Sequence, residues 1–267
     1  MNLLFIGDIV GRSGRNIVFN FLDQIKAEYD IDFVIANGEN SAHGKGITKK
    51  IYQQLMDAGI DCITLGNHAF SKKEIVMDID HLDNMIRPYN LNVYPEKGHF
   101  IKVYNICGLN LGIVNIMGKV FMNNVEKTSF DAMKDLLYRY RIKDKYKLDL
   151  LFVDLHAEAT SEKILFANYF KNECIAVVGT HTHIQTADER LIGGCAYISD
   201  TGMCGPYNSI IGRDINEMIE SMILGIKTHY TIAGGEAIFN AVVIEIDNNT
   251  RRATAIKRIQ IRPQNEN

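Results

Sequence analysis

The sequence predicts an α/β fold of strand and helix layers, on three observations. Apolar runs of strand length recur and end in glycine followed by a polar, ligand-capable residue. Apolar patterns of helical period lie between them, and a central stretch reads as an antiparallel hairpin. The first run, Asn2 to Ile6, stops at Gly7-Asp8, after which Ile17, Val18, Phe21, Leu22 and Ile25 mark one face of a helix. Asp32 to Ala36 is the second strand and delivers Asn37-Gly38-Glu39-Asn40. The loop Gly44-Lys45-Gly46-Ile47-Thr48 lacks P-loop spacing and reads as a turn near the site, leading into a helix from Lys49 to Ala58. Asp61 to Leu65 is the third strand and ends in Gly66-Asn67-His68.

Phe100 to Ile106 and Leu109 to Ile116, turned at Cys107-Gly108, form the expected hairpin, where a second sheet begins. One helix is expected from Ser129 to Ile142, then a strand from Leu150 to Leu155 that ends in His156-Ala157-Glu158. A helix opening near Thr160 leads to the apolar run Cys174 to Val178, which Gly179 breaks just before Thr180-His181-Thr182-His183. Thr201-Gly202-Met203-Cys204-Gly205-Pro206 reads as a glycine-punctuated loop beside the site. A helix around Ile215 to Leu224 follows. Two strands, Ala237 to Ile246 and Thr254 to Ile261, turned by Asp247-Asn248-Asn249-Thr250, close the chain. With no repeat or low-complexity linker, residues 1–267 are expected to form a single domain.

At 46% hydrophobic and 23% charged residues, the composition is that of a soluble globular protein, and a net charge of -3 gives no general pull toward nucleic acid or anionic membrane. No basic leader region opens the sequence and no segment approaches the ~20 apolar residues of a membrane span. Cys62, Cys107, Cys174, Cys195 and Cys204 are odd in number, contain no Cys-x-x-Cys pair and mostly sit in apolar runs, as reduced thiols of a cytoplasmic protein would.

The strand ends gather Asp8, Glu39, Asn67, His156, His181 and His183 at one carboxyl edge, where open α/β sheets bind ligands. Carboxylate, amide oxygen and imidazole together suit iron or manganese, with zinc as the alternative. Six such donors exceed what one tetrahedral structural zinc takes, and none is a cysteine. Two divalent ions sharing a carboxylate account for the set, with Glu39 as the natural bridge.

At these residues the chain resembles the calcineurin-like metallophosphoesterases, through Gly7-Asp8, Gly66-Asn67-His68, the lone His156 and Gly179-Thr180-His181-Thr182-His183. Three longer stretches resemble the YmdB branch of that superfamily: Asn37 to Asn40, Asp154 to Glu162 and Gly179 to Asp188. The resemblance implies two facing mixed β-sheets flanked by helices, a four-layer αββα sandwich. It also implies phosphodiester hydrolysis, with 2′,3′-cyclic nucleotides or 3′,5′-cyclic AMP as substrates. Three departures from the wider superfamily matter. Asp8-Ile9-Val10 lacks the histidine of an Asp-x-His, and the branch implies that the Asn40 amide oxygen supplies that ligand instead. Glu39 stands where aspartate is usual, and Ala69 stands where a carboxylate commonly orients the preceding histidine, so another group must hold His68.

The mechanism expected of such a centre is in-line attack on phosphorus by a hydroxide bridging the two metals. His68 is the candidate catalytic side chain, stabilising the transition state or protonating the leaving ribose oxygen. Two alternatives share the residues: a phosphomonoesterase or nucleotidase on the same centre, and a regulatory metalloprotein that binds RNA along Arg139, Arg141, Lys143, Lys145 and Lys147 into the metal cleft. No membrane partner is expected, and a homo-oligomer is. Lys119 to Met122 and Gly202 to Tyr207 are candidates for shaping the pocket or a subunit contact.

Overall fold

Strands alternate with helices through the first third of the chain. The computed structural model describes residues 1–263. It begins β1 (Asn2–Ile6), β2 (Asp8–Ile9), α1 (Gly11–Glu28), β3 (Phe33–Asn37), α2 (Lys49–Asp57), β4 (Cys62–Thr64), the single turn α3 (Ile75–Asp78) and β5 (Met85–Ile86). The middle holds β6 (Ile101–Ile106), β7 (Leu109–Met117), α4 (Ser129–Lys134), α5 (Ile142–Lys145), β8 (Leu150–His156), α6 (Thr160–Phe170), β9 (Ala176–Thr180), β10 (Arg190–Ile192) and β11 (Cys195–Ile198). The chain ends in β12 (Met203–Pro206), α7 (Ile215–Met222), β13 (Ala237–Asp247) and β14 (Arg252–Ile261).

Two mixed sheets result. One has the order β2-β12-β13-β1-β3-β4-β5 with β14 on β13, and the other β10-β11-β9-β8-β7-β6. The period-two alternation of side chains decides the layering. Leu3 and Phe5 of β1, Phe33 and Ile35 of β3, Phe152 of β8 and Val178 of β9 fill the space between the sheets, where the Phe5 and Phe152 rings stack with centroids 5.6 Å apart. Leu4, Ile6, Val34 and Ala36 face the other way, onto α1 and α2. Val153, Leu155 and Val177 face α4 and α6 on the far side. Every strand of the two sheet centres is therefore apolar on both faces, which is why these segments read as continuous runs.

Three helix starts carry side-chain caps: Thr48 accepts from Ile51 N–H at 3.2 Å, Thr128 from Asp131 at 3.1 Å and Asp214 from Glu217 at 3.0 Å. Among the described residues no helix is long and apolar enough to cross a membrane, and all five cysteines are free thiols, with only Cys107 exposed.

Three expectations are corrected. The single helix from Ser129 to Ile142 is broken: α4 gives way to a π-type turn over residues 135–139, Arg141 turns left-handed at φ 48°, and α5 starts anew. The wider turn buries Met133, Leu136 and Leu137 together, while Asp135 is held by Lys127 at 2.5 Å and Tyr89 at 3.3 Å. The stretch read as a glycine-punctuated loop contains β12, which pairs with Asp8 and Ile9 on one side and β13 on the other. Its glycine and proline hide a strand that exists only through those partners. Gly179 does not break its strand but pairs with Leu155 inside the ladder.

Truncating Phe152 to alanine removes one half of the stacked pair between the sheets. Phe152→Ala should lower unfolding free energy by about 3–5 kcal/mol, measured as a shifted urea midpoint with an unchanged slope.

Candidate metal centre

The carboxyl edges of the two sheets meet where β2, β3, β4, β8 and β9 end, and the seven expected ligands converge there with His68 beside them. Asp8 lies within β2, fixed by Asp8 N–H to the Gly202 carbonyl at 3.0 Å. Glu39 and Asn40 follow β3, Asn67 and His68 follow β4, His156 is the last residue of β8, and His181 and His183 stand just past β9. Asp8, Glu39, Asn40 and His156 are buried.

Two groups of donors share Glu39. On one side Glu39, His156 and His181 offer ligand atoms all within 4.8 Å of one another. Asn67 Oδ1 joins them, 2.9 Å from His156 Nε2, which itself lies 3.1 Å from His181 Nδ1 and 3.2 Å from Glu39 Oε1. On the other side Asn40 Nδ2 lies 3.1 Å from both Glu39 Oε1 and His183 Nε2, with Asp8 Oδ1 3.7 Å from that same imidazole nitrogen. A half-turn of the Asn40 amide presents its oxygen at the same place.

Each imidazole has its outer nitrogen engaged. His156 Nδ1 lies 2.9 Å from the Thr180 hydroxyl, which donates to Asp154 at 2.7 Å. His181 Nε2 lies 3.2 Å from Glu158, and His183 Nδ1 lies 2.9 Å from the Ile211 carbonyl. With the outer N–H given to an oxygen, each ring turns a lone pair inward, the arrangement found around metal-ligating histidines.

The electrostatics fit a cation. Burial pushes the Asp8 carboxyl up to about 7, and its Oδ1 is buried with no hydrogen-bond partner. Burial opposes charge on Glu39 too, yet His156 and His68 hold its carboxyl well below the usual carboxylate range. Burial likewise works against charge on His156, but Glu39 prevails and pushes the imidazole up to about 9, whereas burial and the His156 charge pull His181 down to about 3. Carboxylates and imidazoles whose charges depend this strongly on one another form a donor set that a divalent ion would balance. A β-carbon on Gly66 would fall onto Glu39 Oε2 and His156, so the backbone itself approaches the centre.

The histidine loop is held under strain. His181 and His183 have φ of 101° and 67°, left-handed for residues with a β-carbon, at a cost on the order of 1–3 kcal/mol each. Lys163 and Asp200 offset it. The buried Lys163 ammonium donates to the Thr180 carbonyl at 2.8 Å and to Asp200 at 2.9 Å, while Asp200 accepts from Thr182 N–H at 3.0 Å and Gly202 N–H at 2.9 Å. Sequence reasoning passed over this pair. Asp200 follows the strand Cys195–Ile198 much as the other carboxylates follow theirs, and that signal could have found it. Lys163 had none, being one charge in a helix whose apolar residues show no single face. Asp154 and Thr180 were missed because their role is to hold His156.

His68 lies at the rim. Its backbone N–H donates to Glu39 at 2.9 Å, and its ring sits between Ser71 Oγ at 3.5 Å and Asn67 Nδ2 at 3.3 Å, so a serine occupies the orienting role left open by Ala69. The basic run is elsewhere: Lys143 and Leu148 flank the amino end of β8, about 20 Å along the strand from His156. Arg141 pairs with Asp144 and Lys143 with Glu173, each at 2.7 Å. RNA lying along that run would not lead into the metal cleft.

Known proteins match this chain along nearly its whole length. The sequence profile of the YmdB-like protein family matches residues 4–259. A 2′,3′-cyclic-nucleotide 2′-phosphodiesterase of Bacillus subtilis is 42% identical over 264 residues, covering 98% of this chain and 97% of its own. The crystal structure of a phosphatase from Mycoplasma pneumoniae superposes with a TM-score of 0.91 at 35% identity, covering 98% of this chain and 93% of the other. A Thermus thermophilus protein superposes at 0.88 with 35% identity, over 98% and 99% of the two chains.

Two substitutions probe the centre. Lys163→Met leaves Asp200 buried without its counter-charge and should cost about 3–5 kcal/mol in urea unfolding. Gly66→Ala should leave the far-ultraviolet circular dichroism unchanged and lower manganese uptake at equilibrium dialysis by about tenfold or more, since it intrudes directly on two donors.

Proposed function

The chain belongs to the YmdB-like family of metallophosphoesterase-fold hydrolases, and from that premise we propose that it is a dinuclear-metal phosphodiesterase acting on 2′,3′-cyclic nucleotides. The observation that carries this reading is the set of three imidazoles, each with its outer nitrogen on an oxygen and its inner nitrogen turned toward the Glu39 carboxylate or its neighbours. Asn67, His156 and His181 would hold one divalent ion, Asp8, Asn40 and His183 the other, and Glu39 would bridge. The nitrogen and oxygen donors suit iron or manganese, with zinc the alternative. When bound, the ions supply Lewis acidity toward the phosphoryl oxygens and lower the pKa of water at the site.

The residues supply the rest. The buried carboxylates fix the charge that draws cations in, and the Asp154–Thr180 and Glu158 contacts keep the imidazoles turned inward through turnover. His68, whose ring lies between Asn67 and Ser71, would hydrogen-bond the leaving ribose oxygen. Water oxygen adds to phosphorus, the bond from phosphorus to the 2′-oxygen breaks, that oxygen leaves with a proton, and the product is a 3′-phosphate. None of the donors selects between diesters, so 3′,5′-cyclic AMP belongs to the same substrate class. Free thiols are consistent with a reducing, cytoplasmic setting.

Hydrolysis of 2′,3′-cyclic AMP by manganese- or iron-loaded protein tests the reading. Wild type should release 3′-AMP, Glu39→Gln should lose bound metal and activity together, and His68→Ala should keep its metal while kcat falls about 10²- to 10⁴-fold. Metal binding without cleavage of any phosphoester would refute it.

A further inference from the structure

The turn between β3 and α2 carries a cation beside the metal centre that the centre itself does not use. Gly44 and Gly46, at φ 76° and 80°, bracket Lys45. The turn is closed by Ala42 N–H to the Gly46 carbonyl at 2.9 Å and Gly44 N–H to the Asn40 carbonyl at 3.1 Å. A β-carbon on Gly44 would strike Ile232 and Tyr230, so the close approach of this turn to that segment requires glycine. The Tyr230 hydroxyl donates to the Gly44 carbonyl at 3.4 Å, and the Lys45 ammonium lies 4.6 Å over the Tyr230 ring.

A second cation, Arg213, lies 4.7 Å from the same ring, but its Nε and Nη2 are both given to the Glu217 carboxylate, which neutralises its charge. Lys45 has no carboxylate at ion-pair distance among the described residues. Contacts run unbroken from it to the centre: Tyr230 touches Gly44, Gly44 bonds Asn40, and the Asn40 side chain touches Glu39 and His183. A β-carbon on Gly46 would meet Ser71 and Lys72, so the turn also packs against the segment that holds His68 at the centre.

We propose that Lys45, laid on the Tyr230 ring, anchors the substrate by hydrogen-bonding a phosphoryl oxygen of the bound phosphoester. The ring fixes the flexible side chain beside the turn that leads from Asn40, and an arriving anion meets a charge already in position. Glycines on both sides give the turn the conformation that places it. This rests on the phosphoesterase reading but not on the nucleotide, because the group recognised is the phosphoryl.

The test compares wild type, Lys45→Met, Lys45→Arg, Tyr230→Leu and the Lys45→Met/Tyr230→Leu double variant, all manganese-loaded. Substrates are 2′,3′-cyclic AMP and bis(4-nitrophenyl) phosphate, with bound metal measured in each protein. Lys45→Met should raise KM roughly 10- to 100-fold on both substrates with kcat and metal content near wild type, the loss of one charge-assisted hydrogen bond. Lys45→Arg should recover most of that loss. Tyr230→Leu should raise KM less, and the double variant should be no worse than Lys45→Met, because the ring acts only through the ammonium. An unchanged KM in Lys45→Met, or a loss confined to kcat or to metal content, overturns the assignment. Cleavage of the aryl diester without the cyclic nucleotide would sink the nucleotide reading while still testing Lys45. Should the holoprotein cleave neither, calorimetric titration with inorganic phosphate decides, since equal affinity in wild type and Lys45→Met also overturns it.

Discussion

The convergence of buried lone pairs on Glu39 is the constraint from which the rest of this structure follows. Its buried carboxylate lies 3.2 Å from His156 Nε2, 3.1 Å from the Asn40 amide and 2.9 Å from the His68 backbone N–H. Asn40 and His68 donate to it, but Asn67 Oδ1 and the inward nitrogens of His156 and His181 crowd the same point, and acceptors packed this closely repel one another unless positive charge enters. The strand ends that deliver them are held by sheets apolar on both faces, so the edge cannot relax by sliding apart.

Around that point lies a ring of polar contacts whose function is positional. Asp154 accepts from Thr64 at 2.5 Å, Asn37 at 3.1 Å and Thr180 at 2.7 Å, so its buried carboxylate is satisfied without a cation of its own. Lys163 and Asp200 do the same for the backbone, pinning a left-handed segment that puts His181 and His183 on opposite sides of Glu39. Farther out, the buried Arg87 gives its guanidinium entirely to backbone carbonyls of Pro88, Tyr89, Leu91, Pro95 and Lys97, ordering the chain that joins the two sheets. At the surface Phe121, Met222 and Ile223 project into solvent, and the exposed Lys45 and Tyr230 are held by each other.

Local pattern carried much of the fold and of the candidate site. Apolar runs of strand length, ended by glycine and a polar residue, are readable because a strand buried on both faces has no other composition available. Asp8, Glu39, Asn67, His156, His181 and His183 stand at such ends and lie together at the edge in space. Asn40 and His68 needed the resemblance, since an asparagine after a strand and a histidine beside a ligand look locally like a cap and a surface residue.

The tertiary structure alone decided what depends on partners far away in the chain. The His181 N–H finds Asp8 across 173 residues, and no window of sequence contains both. The same holds for β12, a strand only because Asp8–Ile9 and β13 flank it, and for the π-type turn, which exists to bury Leu136 and Leu137 at once. Which nitrogen of each imidazole faces inward follows from Thr180, Glu158 and Ile211, and the place of Lys45 follows from Tyr230. Sequence thus determined which residue types reach the edge, because the pattern that ends a strand is local. Their orientation was set by long-range packing and hydrogen bonds, whose energies are fixed only once the sheets have met.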